Sequence, residues 1–198
     1  MWFQQKVISN QRHWGITLCL LTVLIGSLTY AAVLLTPKEY QVKAVYLFNF
    51  SKFINWPASA FDNSRTSIRI CVLGKNPFDD FDRLVKGKKV QKRRVTVEHL
   101  SDYRQANRCH ILFVSKSEKG NQAAILAYTQ QYPILTVSDI RNFVVRGGMI
   151  QFYIRGRKVR FMIDPDTVQE AGIRASANLL RGAKIVREVD HIHGKRTV

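Results

Sequence analysis

The sequence predicts a three-layer α/β domain with a mainly parallel sheet, completed by an antiparallel hairpin and a last helix. Three observations carry this. Short apolar runs of buried-strand type alternate with helix signals from residue 68 to residue 137. Two alternating runs then flank Arg155-Gly156-Arg157. The whole pattern follows an N-terminal stretch that reads as an export leader.

Residues 1 to 14 carry Lys6 and Arg12 and no acid, and residues 15 to 35 carry no charge at all. Thr29 and Ala31 stand at −3 and −1 of a cleavage site, so residues 1–31 are expected to be a signal peptide. Left uncut, the apolar run to Leu35 is long enough to serve as an N-terminal anchor. The domain is expected over residues 39–188, with 189–198 a polar tail. Some 165 residues suit one domain with one core.

Residues 39 to 57 predict the first helix, ended by Trp56-Pro57 because a residue before proline is pushed out of the α region. Val42, Val45, Tyr46, Asn49, Phe50 and Phe53 recur at helical spacing, while Ala44, Leu47 and Phe48 widen the apolar surface beyond one stripe. That excess predicts a second partner for the helix. A homodimer mate is one candidate, and burial beneath the C-terminal helix is the other.

A strand over Ile68-Arg69-Ile70-Cys71-Val72-Leu73 ends at Gly74, and Asn76-Pro77-Phe78-Asp79 opens a short helix that stops at Gly87. The basic run Lys86, Lys88, Lys89, Lys92, Arg93 and Arg94 leads into an alternating strand, Val95 to Leu100. Another buried strand follows at 110–115, a helix at 122–131, and a strand at Ile134-Leu135-Thr136-Val137. Runs 149–154 and 158–163 form the hairpin. Ile150, Phe152, Ile154, Val159, Phe161 and Ile163 are expected on its core face, with Met149, Gln151, Tyr153, Lys158, Arg160 and Met162 on the other. Asp164 caps a last helix that places Val168, Ala171, Ala175 and Leu179 on one side.

The formal charge is +17, and loss of Lys6 and Arg12 with the leader leaves +15. Export turns such a balance away from nucleic acid and toward acidic protein surfaces, anionic lipid or lipopolysaccharide, with a plain solvated basic surface as the simplest reading. The six cations in nine residues from Lys86 to Arg94 could grip phosphates, but no aromatic residue interleaves them. A charged loop guarding an edge strand fits better.

Cys19 belongs to the leader, leaving Cys71 and Cys109 in two strand runs. Neighbouring strands in an oxidising compartment would join them, stabilising the fold by about 4 kcal/mol; the alternative is two buried thiols.

No catalytic constellation is present. The sequence lacks a phosphate-cradling glycine loop, H-E-x-x-H, G-x-S-x-G and C-x-x-C. His191 and His193 lie in a basic tail, and Asp79, Asp80 and Asp82 suit a helix start through its dipole. The chain is therefore read as non-enzymatic, with no metal and no cofactor.

Several segments together resemble one family. They are Glu39-Tyr40 through Trp56-Pro57, Arg69 to Gly74, Cys109-His110-Ile111-Leu112-Phe113-Val114, Ile134 to Val137, Gly147-Gly148-Met149-Ile150, Val159-Arg160-Phe161-Met162-Ile163, and Ala171-Gly172-Ile173 with Leu179-Leu180. In order and spacing, across nearly the whole mature chain, they resemble the YfiR family of periplasmic proteins. The resemblance implies a Rossmann-like domain, often dimeric and without catalysis, and a disulfide at Cys71 and Cys109. It also implies a partner: the periplasmic part of an inner-membrane diguanylate cyclase or another sensor, repressed by binding, with sequestration by an outer-membrane lipoprotein relieving the repression. The output is cyclic-di-GMP and biofilm formation. A second cysteine pair of some members is replaced here by Val145 and Gln151.

On the residues alone, the partner surface is expected on the outer hairpin face, with Met149, Tyr153 and Met162 as apolar contacts and Arg160 beside them. Its alternative is cover by the last helix or a dimer mate. The rival function is a periplasmic ligand-binding or anionic-surface-binding module.

Overall fold

A computed structural model describes residues 36–187. The expected leader and polar tail, with His191 and His193, lie outside the described residues. Among the described residues, no helix is long and apolar enough to cross a membrane.

The first helix, α1, runs Thr36–Phe53. Its buried stripe is Lys43, Ala44, Leu47, Phe48, Phe50 and Ser51, continuing to Ile54, whereas Val42 and Val45 are 40% and 44% exposed. The expected stripe through Val42 and Val45 is thus turned by about one residue. The apolar residues of the helix are spread round it rather than gathered on one stripe, so periodicity could not choose between two adjacent registers, and contacts from the sheet decided it. Tyr46 and Phe50 pack on Phe152 and Phe161 of the hairpin. The helix also ends three residues before Trp56. Ile54 and Asn55 (β1) leave it to pair antiparallel with Ala175 and Arg174 (β9), and Ser176 N donates to Phe53 O at 2.8 Å to cap the end.

The remaining elements form a mixed α/β architecture around a mostly parallel sheet. In chain order they are β2 (Ile68–Leu73), α2 (Phe81–Val85), β3 (Lys89–Val90), β4 (Arg93–Leu100), β5 (Ile111–Val114), α3 (Gln122–Thr129), β6 (Leu135–Ser138), β7 (Ile150–Arg155), β8 (Lys158–Ile163), α4 (Pro165–Glu170), α5 (Ala177–Arg181) and β10 (Lys184–Ile185). The sheet order is β10-β8-β7-β6-β5-β2-β4-β3. Five neighbouring strands, β4, β2, β5, β6 and β7, are mutually parallel, and β7–β8 and β3–β4 are antiparallel hairpins.

Parallel strands in the middle of a sheet must be covered on both faces, and their sequences accordingly lack alternation. Every residue of β5 and β6 is buried. One face packs with α1 and α2 through Phe48, Phe50, Phe78, Phe81 and Phe113. The other packs with α3 through Leu73, Leu112, Val114, Ile125, Leu126 and Phe143.

The basic run forms the β3–β4 hairpin at one sheet edge, turning at Gln91 and Lys92, both with positive φ. The expected single C-terminal helix is broken. Asp164 does cap α4, accepting from Asp166 N and Thr167 N, but Gly172 adopts φ +73° and ends the run. Arg174–Ala175 then becomes β9, and Ser176 caps α5 afresh. Val168, Ala175 and Leu179 therefore belong to three elements, with Ala171 at the end of α4, because a left-handed glycine overrode helical spacing.

Candidate functional site

Cys71 and Cys109 form a disulfide with Cα atoms 5.9 Å apart. The sheet positions them: β2 and β5 are parallel neighbours with Cys71 opposite Leu112, and Cys109 enters β5 two residues before Ile111. Both are buried among Leu73, Leu100, Leu112 and Val114. Beside the bond, His110 faces the other way. Its Nδ1 accepts from Arg69 N at 3.1 Å and its Nε2–H donates to Ala60 O at 3.0 Å, while Phe61 stacks on the ring and Trp56 meets it edge-on. Burial first, then the cations Arg69 and Arg93, pull its pKa down to about 4, and the bond to Ala60 opposes them. This imidazole is a neutral strut.

A second polar cluster was not foreseen. Lys43 and the carboxylate of Asp139 are 2% and 4% exposed and meet at 2.5 Å. The Asp139 Oδ2 also accepts from Tyr40 OH at 2.8 Å and lies 3.5 Å from Lys116 Nζ. Asp139 follows β6 at the carboxyl end of the parallel strands, so the cluster pins the start of α1 to that edge. A lysine inside an apolar helical pattern was the available signal, since a buried cation needs a paired carboxylate. Between α1 and α2 lies a groove of about 490 Å³ lined by Tyr40, Ala44, Val45, Phe78, Phe81 and Leu84, with Asp79, Arg83 and Lys88 at its rim. No group of three His, Cys, Asp or Glu side chains is placed to hold a metal among the described residues.

The hairpin holds the sequence-predicted contact residues. Ile150, Phe152, Val159, Phe161 and Ile163 are buried as the core face, but Ile154 is 51% exposed, because the hairpin extends past the end of the layer above it. On the other face the register sets Gln151 opposite Met162, Tyr153 opposite Arg160 and Arg155 opposite Lys158, with Lys184 of β10 beside Met162. Tyr153 and Met162 are half-buried, and Arg155, Lys158, Arg160 and Lys184 are exposed. Neither apolar cluster includes Tyr153 or Met162. The last helix does not cover this face.

Met149 differs from the expectation. It is 3% exposed and part of the larger apolar cluster, since it precedes β7 in the bend where its N donates to Thr136 Oγ1 and its O accepts from Asp164 N. It is not on the surface that strand alternation assigned to it. Gln151 is also buried, its Oε1 accepting from Val144 N at 3.4 Å. The structure thus brings Tyr153, Arg160 and Met162 together and removes Met149.

No curated protein matches the chain. A family model described as YfiR/HmsC-like matches residues 40–184, from the first turns of α1 to the start of β10. That span takes in the disulfide, the pinned helix and the hairpin alike, and the chain belongs to the YfiR/HmsC-like family.

Proposed function

We propose that this protein is an exported, non-enzymatic regulator. It binds the periplasmic part of an inner-membrane signalling protein, a diguanylate cyclase or another sensor, and represses it, lowering cyclic-di-GMP and biofilm formation. Family membership is the observation that carries this reading. The uncovered outer face of the hairpin supports the place of contact. Tyr153 and Met162 give a central apolar pair of adaptable shape, and Arg160 with its neighbouring cations would steer an acidic partner.

Homodimerisation and sequestration by an outer-membrane lipoprotein belong to the same reading; the exposed Val42 and Val45 of α1 offer apolar surface for the former. We read the fold as Rossmann-like, because β4, β2, β5, β6 and β7, numbered among themselves, run 2-1-3-4-5, an order of doubly wound domains. At the strand-order reversal between β2 and β5, a side chain on Gly74 would overlap Ser117 and Glu118. Deleting the gene and measuring cyclic-di-GMP and surface attachment tests the proposal. Both should rise; unchanged levels across growth conditions would remove the cyclase as partner.

A further inference from the structure

The β7–β8 turn is built against its own stability. Arg155 stands directly opposite Lys158, a like-charge pair that a hairpin ordinarily avoids. The turn between them places Gly156 and Arg157 at φ +56° and +63°, so an arginine occupies a left-handed position usually left to Asn or Gly. None of Arg155, Arg157 and Lys158 takes part in an ion pair among the described residues. On the opposite face of the ribbon from Arg155 and Lys158, the apolar row of the hairpin emerges into solvent at the tip: Phe152, Val159 and Phe161 are buried, and Ile154 is 51% exposed.

The position matters as much as the composition. The tip lies at the carboxyl end of the parallel strands, where Lys116 after β5 and Arg141 after β6 are also exposed. The nearest acid on that edge, Asp139, has its carboxylate buried and paired; Glu118 after β5 and Asp79 and Asp80 past β2 stand farther along. The β3–β4 turn, at the opposite end of the sheet, is equally basic with Lys89, Lys92 and Arg94. Its apolar residue Val90 is buried, and its Arg93 is bound to the carbonyls of Asn63 and Thr66. Of these two turns, the β7–β8 tip is the one that combines unpaired cations with an exposed aliphatic side chain.

We infer that the β7–β8 tip is a membrane-surface contact, seating Ile154 at headgroup level in an anionic phospholipid bilayer with Arg155, Arg157 and Lys158 against the phosphates. An exposed apolar side chain at a strand tip that also carries basic groups has the chemistry of interfacial binding, and each cation near an anionic surface strengthens it by several-fold. The inference is independent of which protein the hairpin face binds.

The test uses the exported protein and vesicles of phosphatidylethanolamine with phosphatidylglycerol, against phosphatidylcholine alone. Binding is expected only to the anionic vesicles and should fall with salt. The triple variant R155A/R157A/K158A should bind on the order of a hundredfold more weakly, Ile154→Ser several-fold more weakly, and the opposite-end control K89A/K92A/R94A far less weakly than the tip variant. All carry the same N terminus, so the differences belong to the substitutions. A photoreactive phenylalanine at position 154 should crosslink to lipid, and one at position 91 should not. Equal losses in the two triple variants would assign binding to net charge and overturn the inference. So would absent vesicle binding at low salt or no crosslink at 154, either of which would leave the tip to an acidic protein segment.

Discussion

The middle of the sheet and its β7–β8 hairpin use their two faces differently. Every residue of β5 and all of β2 except half-buried Arg69 are buried, and a disulfide ties Cys71 to the entry of β5. In the hairpin one face joins the aromatic core, and the other carries exposed and half-buried side chains from Tyr153 onward. The side chains of these middle strands are taken up by the core and offer little surface. The hairpin holds its outer side chains in register on a rigid strand pair, which is what a recognition face needs. Substitutions should therefore separate cleanly, with the middle reporting on stability and the hairpin on function.

The largest stability effect is expected from the tie itself. C71S/C109S should lose about 4 kcal/mol in denaturant unfolding if the chain-entropy account holds, with the hairpin face still able to bind when the protein is folded. A loss under about 1 kcal/mol would show that packing alone holds the middle together.

Next comes the buried pair. Lys43→Ala leaves the Asp139 carboxylate with Tyr40 and the more distant Lys116, and should lower stability by about 3 kcal/mol. Replacing both partners by apolar residues, as in K43M/D139L, should recover most of that loss in a thermal melt. If the double variant is no better than the single, the pair contributes more than it costs to bury.

Acid should act through His110. Its folded pKa of about 4 lies below the ordinary 6.5, so between these values the unfolded chain binds more protons and stability falls as pH falls. The contribution is fully present above about pH 6.5 and is lost on descent to about pH 4. His110→Gln should flatten this part of the pH–stability curve. An unchanged slope would place the acid sensitivity elsewhere.

The sequence showed much of the fold because its parallel strands are short apolar runs and its hairpin alternates around Gly156. It showed the disulfide partners for the same reason, since both cysteines sit in such runs. It failed where local pattern was degenerate. Apolar residues spread round α1 permitted two registers, and contacts with Phe152, Phe161 and Asp139 selected one. Spacing alone extended the last helix through Gly172, where a backbone conformation ended it. At the candidate site, alternation placed Tyr153, Arg160 and Met162 on the outer face, but it was carried one residue too far. Met149 precedes the strand and obeys the packing of the bend instead. The Lys43–Asp139 pair needed tertiary structure, because 96 residues separate its members.

The smallest stability effect belongs to the hairpin face, and it tests the central claim most directly. Met162 is half-buried and outside both apolar clusters, so Met162→Glu should change stability by no more than about 1 kcal/mol. The decisive measurement is cyclic-di-GMP in cells whose only copy carries Met162→Glu, taken alongside the thermal midpoint of the purified variant. We expect cyclic-di-GMP to rise to the level of the deletion strain while the midpoint stays close to that of the unsubstituted protein. Full repression by a variant that is equally stable and equally abundant would contradict the account and move the partner surface off the hairpin.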